Sequence, residues 1–333
     1  MNRTLSFSNE PTIVAVASMV GPKEAMGPLA AHFDVVVDDD LLGQETWELA
    51  EAELQRRTIS LCLKKAGMTK EAVGVLLCGD LLNQIMASSF SARALRIPFL
   101  GLYGACSTMI EGLILGAVLV DGGYRNNAIC SASSHFCAAE RQFRFPLEMG
   151  NQRTPSAQWT ATACGAALIM PTREDGFARI THGTIGVVTD YQIKDANHMG
   201  AAMAPAVADT LRAHFRDTGR TAADYDVIIT GDLGYIGREI LLCLAHESGI
   251  KMQDERVIDC GASMYYQQQD AHAGGSGCGC VASVLCGQYL PAIKRKEIRR
   301  ALVLGSGAML SPTSSMQGES IPSISYAVAL EGG

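Results

Sequence analysis

One cysteine in this chain stands where its chemistry could be used. Cys106, within Gly104-Ala105-Cys106-Ser107-Thr108-Met109, falls where an extended segment turns into an almost wholly apolar helical stretch over 106–120. A helix start presents free N–H groups and the positive end of the helix dipole, which lower a thiol pKa and favour a bound anion. His272 sits at a second helix entry, beside the glycine-rich run 274–279. An imidazole there can exchange a proton near neutral pH. Asp80 and Asp232 each follow a glycine at the end of an apolar segment. Asp232 is expected to cap the next helix. Asp80, with Asn83, belongs to the half that carries Cys106 and is expected to face the pocket.

Other patterns exclude themselves. Cys278-x-Cys280 with His272 lacks zinc-ligand spacing, and Asp38-Asp39-Asp40 lacks the later positions of a calcium loop. Gly231-x-x-Gly234-x-x-Gly237 has no opening Gly-x-Gly for a dinucleotide, and no Gly-Lys-Ser/Thr phosphate loop exists. Neither a metal nor a cofactor is expected. A net charge of −7 argues against nucleic acid as a partner. With 18% charged residues, 48% apolar ones and 34 glycines, disorder and coiled coil are excluded and a compact α/β protein remains. Glu10 and Pro11 interrupt the start before an apolar signal-peptide core can form. The longest uncharged run, 271–293, holds five glycines and Pro291, so it reads as a buried loop and helix rather than a membrane span. The eleven cysteines are expected as reduced thiols of a cytoplasmic protein.

The elements that position these residues come in a repeated order. Strands are expected over 12–20, 73–78, 128–133 and 165–170, with helices over 45–66, 84–94 and 106–120. The second half repeats them, with strands over 178–188, 227–230, 301–304 and 324–330 and helices over 200–217, 235–247 and 280–290. The string Val75-Leu76-Leu77-Cys78-Gly79-Asp80 matches Val227-Ile228-Ile229-Thr230-Gly231-Asp232 nearly residue for residue. Two pseudo-symmetric halves, 1–175 with Cys106 and 176–333 with His272, are therefore expected. Helices apolar all round belong in an interior, so the fold class is α/β with five layers, αβαβα, and the helices at 106 and 280 in the middle.

Cys106 on its buried helix, the duplication, and Ala161-Thr162-Ala163-Cys164-Gly165-Ala166-Ala167 resemble the thiolase superfamily, including its ketoacyl synthases, over roughly 12–330. Within it, the strings LCGDLLNQ (77–84), GACST (104–108), RQFRFPLE (141–148), QRTPSAQWT (152–160) and DAHAGGSGCG (270–279) resemble a family of sporulation proteins of spore-forming bacteria. That resemblance implies a non-membrane component of the apparatus that moves dipicolinic acid, free or as its calcium chelate, into the developing spore. Its implied partners are membrane subunits of the same apparatus. The implied location is the cytoplasmic face of the spore inner membrane, soluble or peripheral.

The superfamily also implies a chemistry: a thiolate at Cys106 and a partner histidine at His272. Condensing enzymes carry a second histidine after the strand 227–230, where this chain has Gly231-Asp232-Leu233-Gly234. An incomplete set of this kind would lack an oxyanion stabiliser, at a cost of about 100-fold or more in rate. The leading expectation is thus a binding protein that holds dipicolinate in a former catalytic pocket. The alternative is a cysteine-dependent acyltransferase acting on an acyl thioester. For a planar pyridine with two carboxylates, the expected ligand-binding residues are Cys106, His272, Asp80, Asn83, Ser134, Arg144, Arg153, Trp159 and the glycine turn Gly305 and Gly307. A homodimer is implied, with 126–134 as its interface strand.

Overall fold

The computed structural model describes residues 2–143 and 153–333. Ten strands carry the architecture. In the first half these are β1 (Thr12–Val20), β2 (Leu76–Gly79), β3 (Phe99–Gly101), β4 (Ala128–Ser134) and β5 (Ala163–Met170). In the second they are β6 (Ala178–Ile185), β7 (Val227–Thr230), β8 (Val257–Asp259), β9 (Arg300–Ala308) and β10 (Ser323–Glu331). They hydrogen-bond in the order β8-β7-β9-β10-β6-β1-β5-β4-β2-β3, with Thr4–Ser6 beside β6 and Val35–Val36 beside β1. The order reads the same from either end: third, second, fourth, fifth and first strand of each half. Pairing is parallel among β3, β2 and β4 and among β8, β7 and β9, and antiparallel elsewhere along that order.

Helices alternate with these sheets. On one outer face, α1 (Trp47–Lys65) and α2 (Met86–Leu95) pack Ile59, Leu63 and Leu95 against Leu76, Ile129 and Leu168. Between the halves lie α3 (Thr108–Asp121) and the helix from Cys278 to Lys294, here α8, which join Met109, Ile110, Leu113 and Val281 to Leu77, Val303 and Val328. On the far face, α5 (Met199–Thr218) and α6 (Gly234–Glu247) place Met203, Val207 and Leu211 against Leu302 and Ala327. Two further helices, α4 (Phe136–Phe143) and α7 (Cys260–Met264), lie at the strand ends. This is the five-layer order that the apolar helices require. A central helix gains about 1.5–3 kcal/mol for each fully buried large side chain such as Ile110 or Leu113. Close approach needs small residues: a Cβ on Gly165 of β5 would lie 2.2 Å from the Ala282 carbonyl oxygen of α8. Before Pro291, which has no N–H to donate, α8 widens into a π turn over Leu285–Tyr289.

Three expectations are corrected. The segment 126–134 cannot be an interface strand, because β4 is buried and pairs with β2 on one side and β5 on the other. The strand expected to reach residue 188 stops at Ile185, leaving Val187 and Val188 exposed. The short β8 carries no periodic signal and was not expected at all. Among the described residues no helix is long and apolar enough to cross a membrane.

Candidate ligand pocket beside Cys106

Cys106 sits on a strained elbow. Ala105, the residue before it, holds a left-handed backbone (φ +49°), a conformation that costs a non-glycine residue of order 1–3 kcal/mol. Hydrogen bonds fix the bend: Ser107 Oγ donates to the Gly104 carbonyl (2.6 Å) and Thr108 Oγ1 to that of Ala105 (2.7 Å). The expected glycine turn supports it from behind. A Cβ on Gly307 would lie 2.2 Å from the Gly104 carbonyl, and one on Gly305 3.1 Å from Ser107 Cα. Gly305 and Gly307 thus let β9 approach the elbow and do not line the cavity.

A partly open cavity lies in front of Cys106. Its walls are mostly apolar, with Leu81, Tyr103, Phe143, Met199 and Leu310, and its polar groups are Cys106, Glu140, Thr160 and Ser276. No lysine or arginine lines it among the described residues. Thr160 and Ser276 come from a two-residue parallel ladder in which Trp159–Thr160 pairs with Gly275–Ser276.

The partner of the thiol is Asp232. Its carboxylate is fully buried, and its charge bears on the thiol. The same carboxylate accepts from Ser306 Oγ (3.0 Å), Ser276 Oγ (3.3 Å) and the Gly277 N–H (2.7 Å). Burial and then the charge of Asp232 push the Cys106 thiol well above its ordinary range; Gly277 and Ser276 oppose this only in part. The thiol is therefore held protonated. This reverses the expectation of a lowered pKa, because a helix start cannot outweigh a desolvated site under a carboxylate's charge. Burial also raises the Asp232 pKa, against hydrogen bonds that favour its ionised form.

The two aspartates exchange their expected places. Asp232 does not cap α6. Asp80 is buried with its carboxylate turned onto backbone, accepting from the N–H groups of Leu82 and Ser88 (2.8 Å each), and it does not line the cavity. Asn83 is exposed, with its N–H on Gln142 Oε1 (2.9 Å). Ser134 is buried, its hydroxyl on the Ala161 carbonyl (2.7 Å). His272 turns outward, Nε2 lying 3.0 Å from Oδ1 of the exposed Asp270. Arg153 meets the same Asp270, through a contact to its carbonyl and one of 3.3 Å to its carboxylate. Trp159 stacks on Phe136 with ring centroids 3.7 Å apart, and carries Lys23 Nζ 3.3 Å and Arg153 Cζ 4.6 Å from its ring. Arg144 lies outside the described residues. Of the expected site residues that are described, the structure brings only Cys106 to the cavity, and gathers His272, Arg153 and Trp159 on the other side of the ladder.

Residues that sequence reasoning passed over are Asp232 as thiol partner, Ser276 and Thr160. Ser276 stood within the glycine-rich run already singled out, and that was its available signal.

The architecture, the buried nucleophile helix and the paired halves define a thiolase-like fold of the ketoacyl synthase type. Solved structures agree at low identity. 3-Oxoacyl-[acyl-carrier-protein] synthase III of Aquifex aeolicus superposes with a TM-score of 0.58 at 12% identity, covering 96% of this chain and 99% of that one. Cerulenin-bound OleA of Xanthomonas campestris gives 0.60 at 14%, covering 98% of each chain. Within that fold, the chain belongs to the stage V sporulation protein AD family, whose pattern matches residues 1–331. It is 41% identical over 329 residues to Stage V sporulation protein AD of Bacillus subtilis, spanning 99% of this chain and 96% of that relative.

Proposed function

We propose that this protein binds a ligand rather than performing condensation. The ligand would be dipicolinic acid, free or as its calcium chelate, held in the cavity beside Cys106 during uptake into the developing spore. The observation that carries this reading is the buried Asp232 carboxylate, whose charge bears on Cys106. Acyl transfer needs a thiolate and a base to generate it, and a carboxylate donates no positive charge to stabilise one. The family and the apolar walls of Tyr103, Phe143 and Leu310 support an aromatic ring as occupant, with the Thr160 hydroxyl available to a carboxylate oxygen.

The same reading extends to partners. The chain would dock on membrane subunits of the uptake apparatus at the spore inner membrane and would pair with a second copy. The edge strand β3 supports pairing: its outer side has no partner among the described residues, and Leu100 is half exposed. The opposite edge is plugged, because Arg238 Nε donates to the Val257 carbonyl of β8 (2.9 Å).

Calorimetry with dipicolinate, with and without equimolar calcium, tests the binding. Heat that saturates in native protein and vanishes in Ser276→Leu, which fills the cavity, is expected. No heat at millimolar ligand in either form would overturn the reading. An acyl thioester that instead adds its acyl mass to Cys106 would favour the transferase.

A further inference from the structure

The pocket depends on a residue outside it. Asp259 closes β8, next to the turn that carries Asp232, and all its acceptor capacity is spent there. Its carboxylate accepts from Thr230 Oγ1 (2.7 Å) and from the N–H groups of Leu233 (2.9 Å), Gly234 (3.0 Å) and Ala262 (2.9 Å). Leu233 and Gly234 are the residues directly after Asp232, so Asp259 takes the donors at the start of α6 that an aspartate at 232 would otherwise cap.

The first half supplies the control. There the N–H two residues beyond the aspartate, that of Leu82, is taken by Asp80 itself. Thr230 pairs with Asp259 across the sheet, and its repeat equivalent Cys78 pairs with Gly101. Glycine offers no carboxylate, so Asp80 must cap its own turn. Asp259 has that place in the second half, and Asp232 is released toward Gly277, Ser276 and Ser306.

We propose that Asp259 is a positioning residue for the pocket: by holding the turn 232–234 from the neighbouring strand, it leaves the Asp232 carboxylate free to take Gly277, Ser306 and Ser276, the last of which lines the cavity with Cys106. This rests on the hydrogen bonds of Asp259 and Asp232 and holds whichever ligand the cavity takes, so its test uses no ligand.

Alkylation of Cys106 by iodoacetamide, read peptide by peptide by mass spectrometry from pH 7 to 10, reports whether the carboxylate still bears on the thiol. Asp232→Asn removes the charge, and a thiol pKa lower by one unit makes alkylation below that pKa about tenfold faster. Asp259→Asn, which weakens the hold on the turn, is expected to shift the Cys106 profile in the same direction and by a similar factor. The double variant is expected to shift no further. Asp80→Asn, a cap of the same kind, is expected to leave the profile unchanged. Should Asp259→Asn fail to fold, Thr230→Val removes one anchor of Asp259 and is expected to give a smaller shift of the same sign. A native profile in a folded Asp259→Asn protein, or in Thr230→Val if that is the variant that folds, overturns the proposal. So does an equal shift in Asp80→Asn, since that would mean general loosening.

Discussion

The two sides of the ladder formed by Trp159–Thr160 and Gly275–Ser276 differ in almost every physical respect. Inside, Thr160 and Ser276 face an apolar cavity whose thiol and carboxylate are both buried. Outside, Trp159 is layered between Phe136 and two cations, and Asp270 bridges Arg153 and His272 at the surface. The outer cluster has the residue types that suggest a site for an anionic ring, yet they are engaged with one another. The inner one has few charges, and those it has are desolvated, where a single proton or hydrogen bond counts for more. Residue type alone is therefore a poor guide here; what each group already bonds to separates scaffold from pocket.

If that division is right, variants on the outer side should change stability and leave the pocket alone. Trp159→Ala removes the stacked indole and the surface under Lys23. A loss of about 2–4 kcal/mol in urea unfolding is expected, somewhat below the range for a fully buried tryptophan because this one is half-buried. Dipicolinate affinity measured well below the midpoint should remain native. A lost affinity in the folded protein would erase the distinction between the two sides.

Behind the outer cluster, Glu24 joins the halves. Its buried carboxylate accepts from Tyr265 Oη and from the Thr162 N–H (3.1 Å), and burial pushes its pKa up to about 7. A folded pKa above the ordinary 4.5 favours the folded state most below 4.5, and that contribution is lost as pH rises through 7. The full difference is about 3 kcal/mol. Glu24→Gln keeps an acceptor for both donors and has no charge to bury, so its stability should vary less between pH 4 and 8 than that of the native chain. Parallel pH curves from denaturant unfolding would show that Glu24 is not the group responsible.

How much of this could be read in the sequence follows from the range of each signal. The repeat VLLCGD and VIITGD placed β2 and β7, and the apolar run after Cys106 placed the central helix, because both signals lie within a few consecutive residues. The same repeat could not say which aspartate bears on the thiol. That depends on the residue facing Cys78 or Thr230 across the sheet, Gly101 in one case and Asp259 in the other. The three-residue β8 that brings Asp259 there is too short to show a period. His272 and Arg153 were attractive because a charged side chain in a glycine-rich or loop segment suggests a site. Their orientation was set by Asp270, a neighbour whose left-handed backbone (φ +56°) no spacing rule anticipates.

Within the pocket, the comparison becomes sharper with Cys106→Ala. If the cysteine contributes one wall contact and no covalent chemistry, dipicolinate binding should weaken by about threefold or less, the loss expected from a single modest contact. A loss of two orders of magnitude would make the thiol a principal ligand contact and would call for revising the role of Asp232.

The smallest effect is expected at His272, the residue that sequence patterns marked as partner of the thiol. Its ring lies on the exposed Asp270, and a surface pair of this kind contributes about 0–1 kcal/mol. His272→Ala should therefore change dipicolinate affinity by less than about twofold and leave the Cys106 alkylation profile where it was, since the His272 ring is held by Asp270. A small number is informative here because the two arrangements predict such different ones. Were His272 the base for Cys106 in solution, its removal would slow alkylation at neutral pH about tenfold or more. That single outcome would move His272 from the outer face of the ladder to the inner one, and with it the case against acyl transfer.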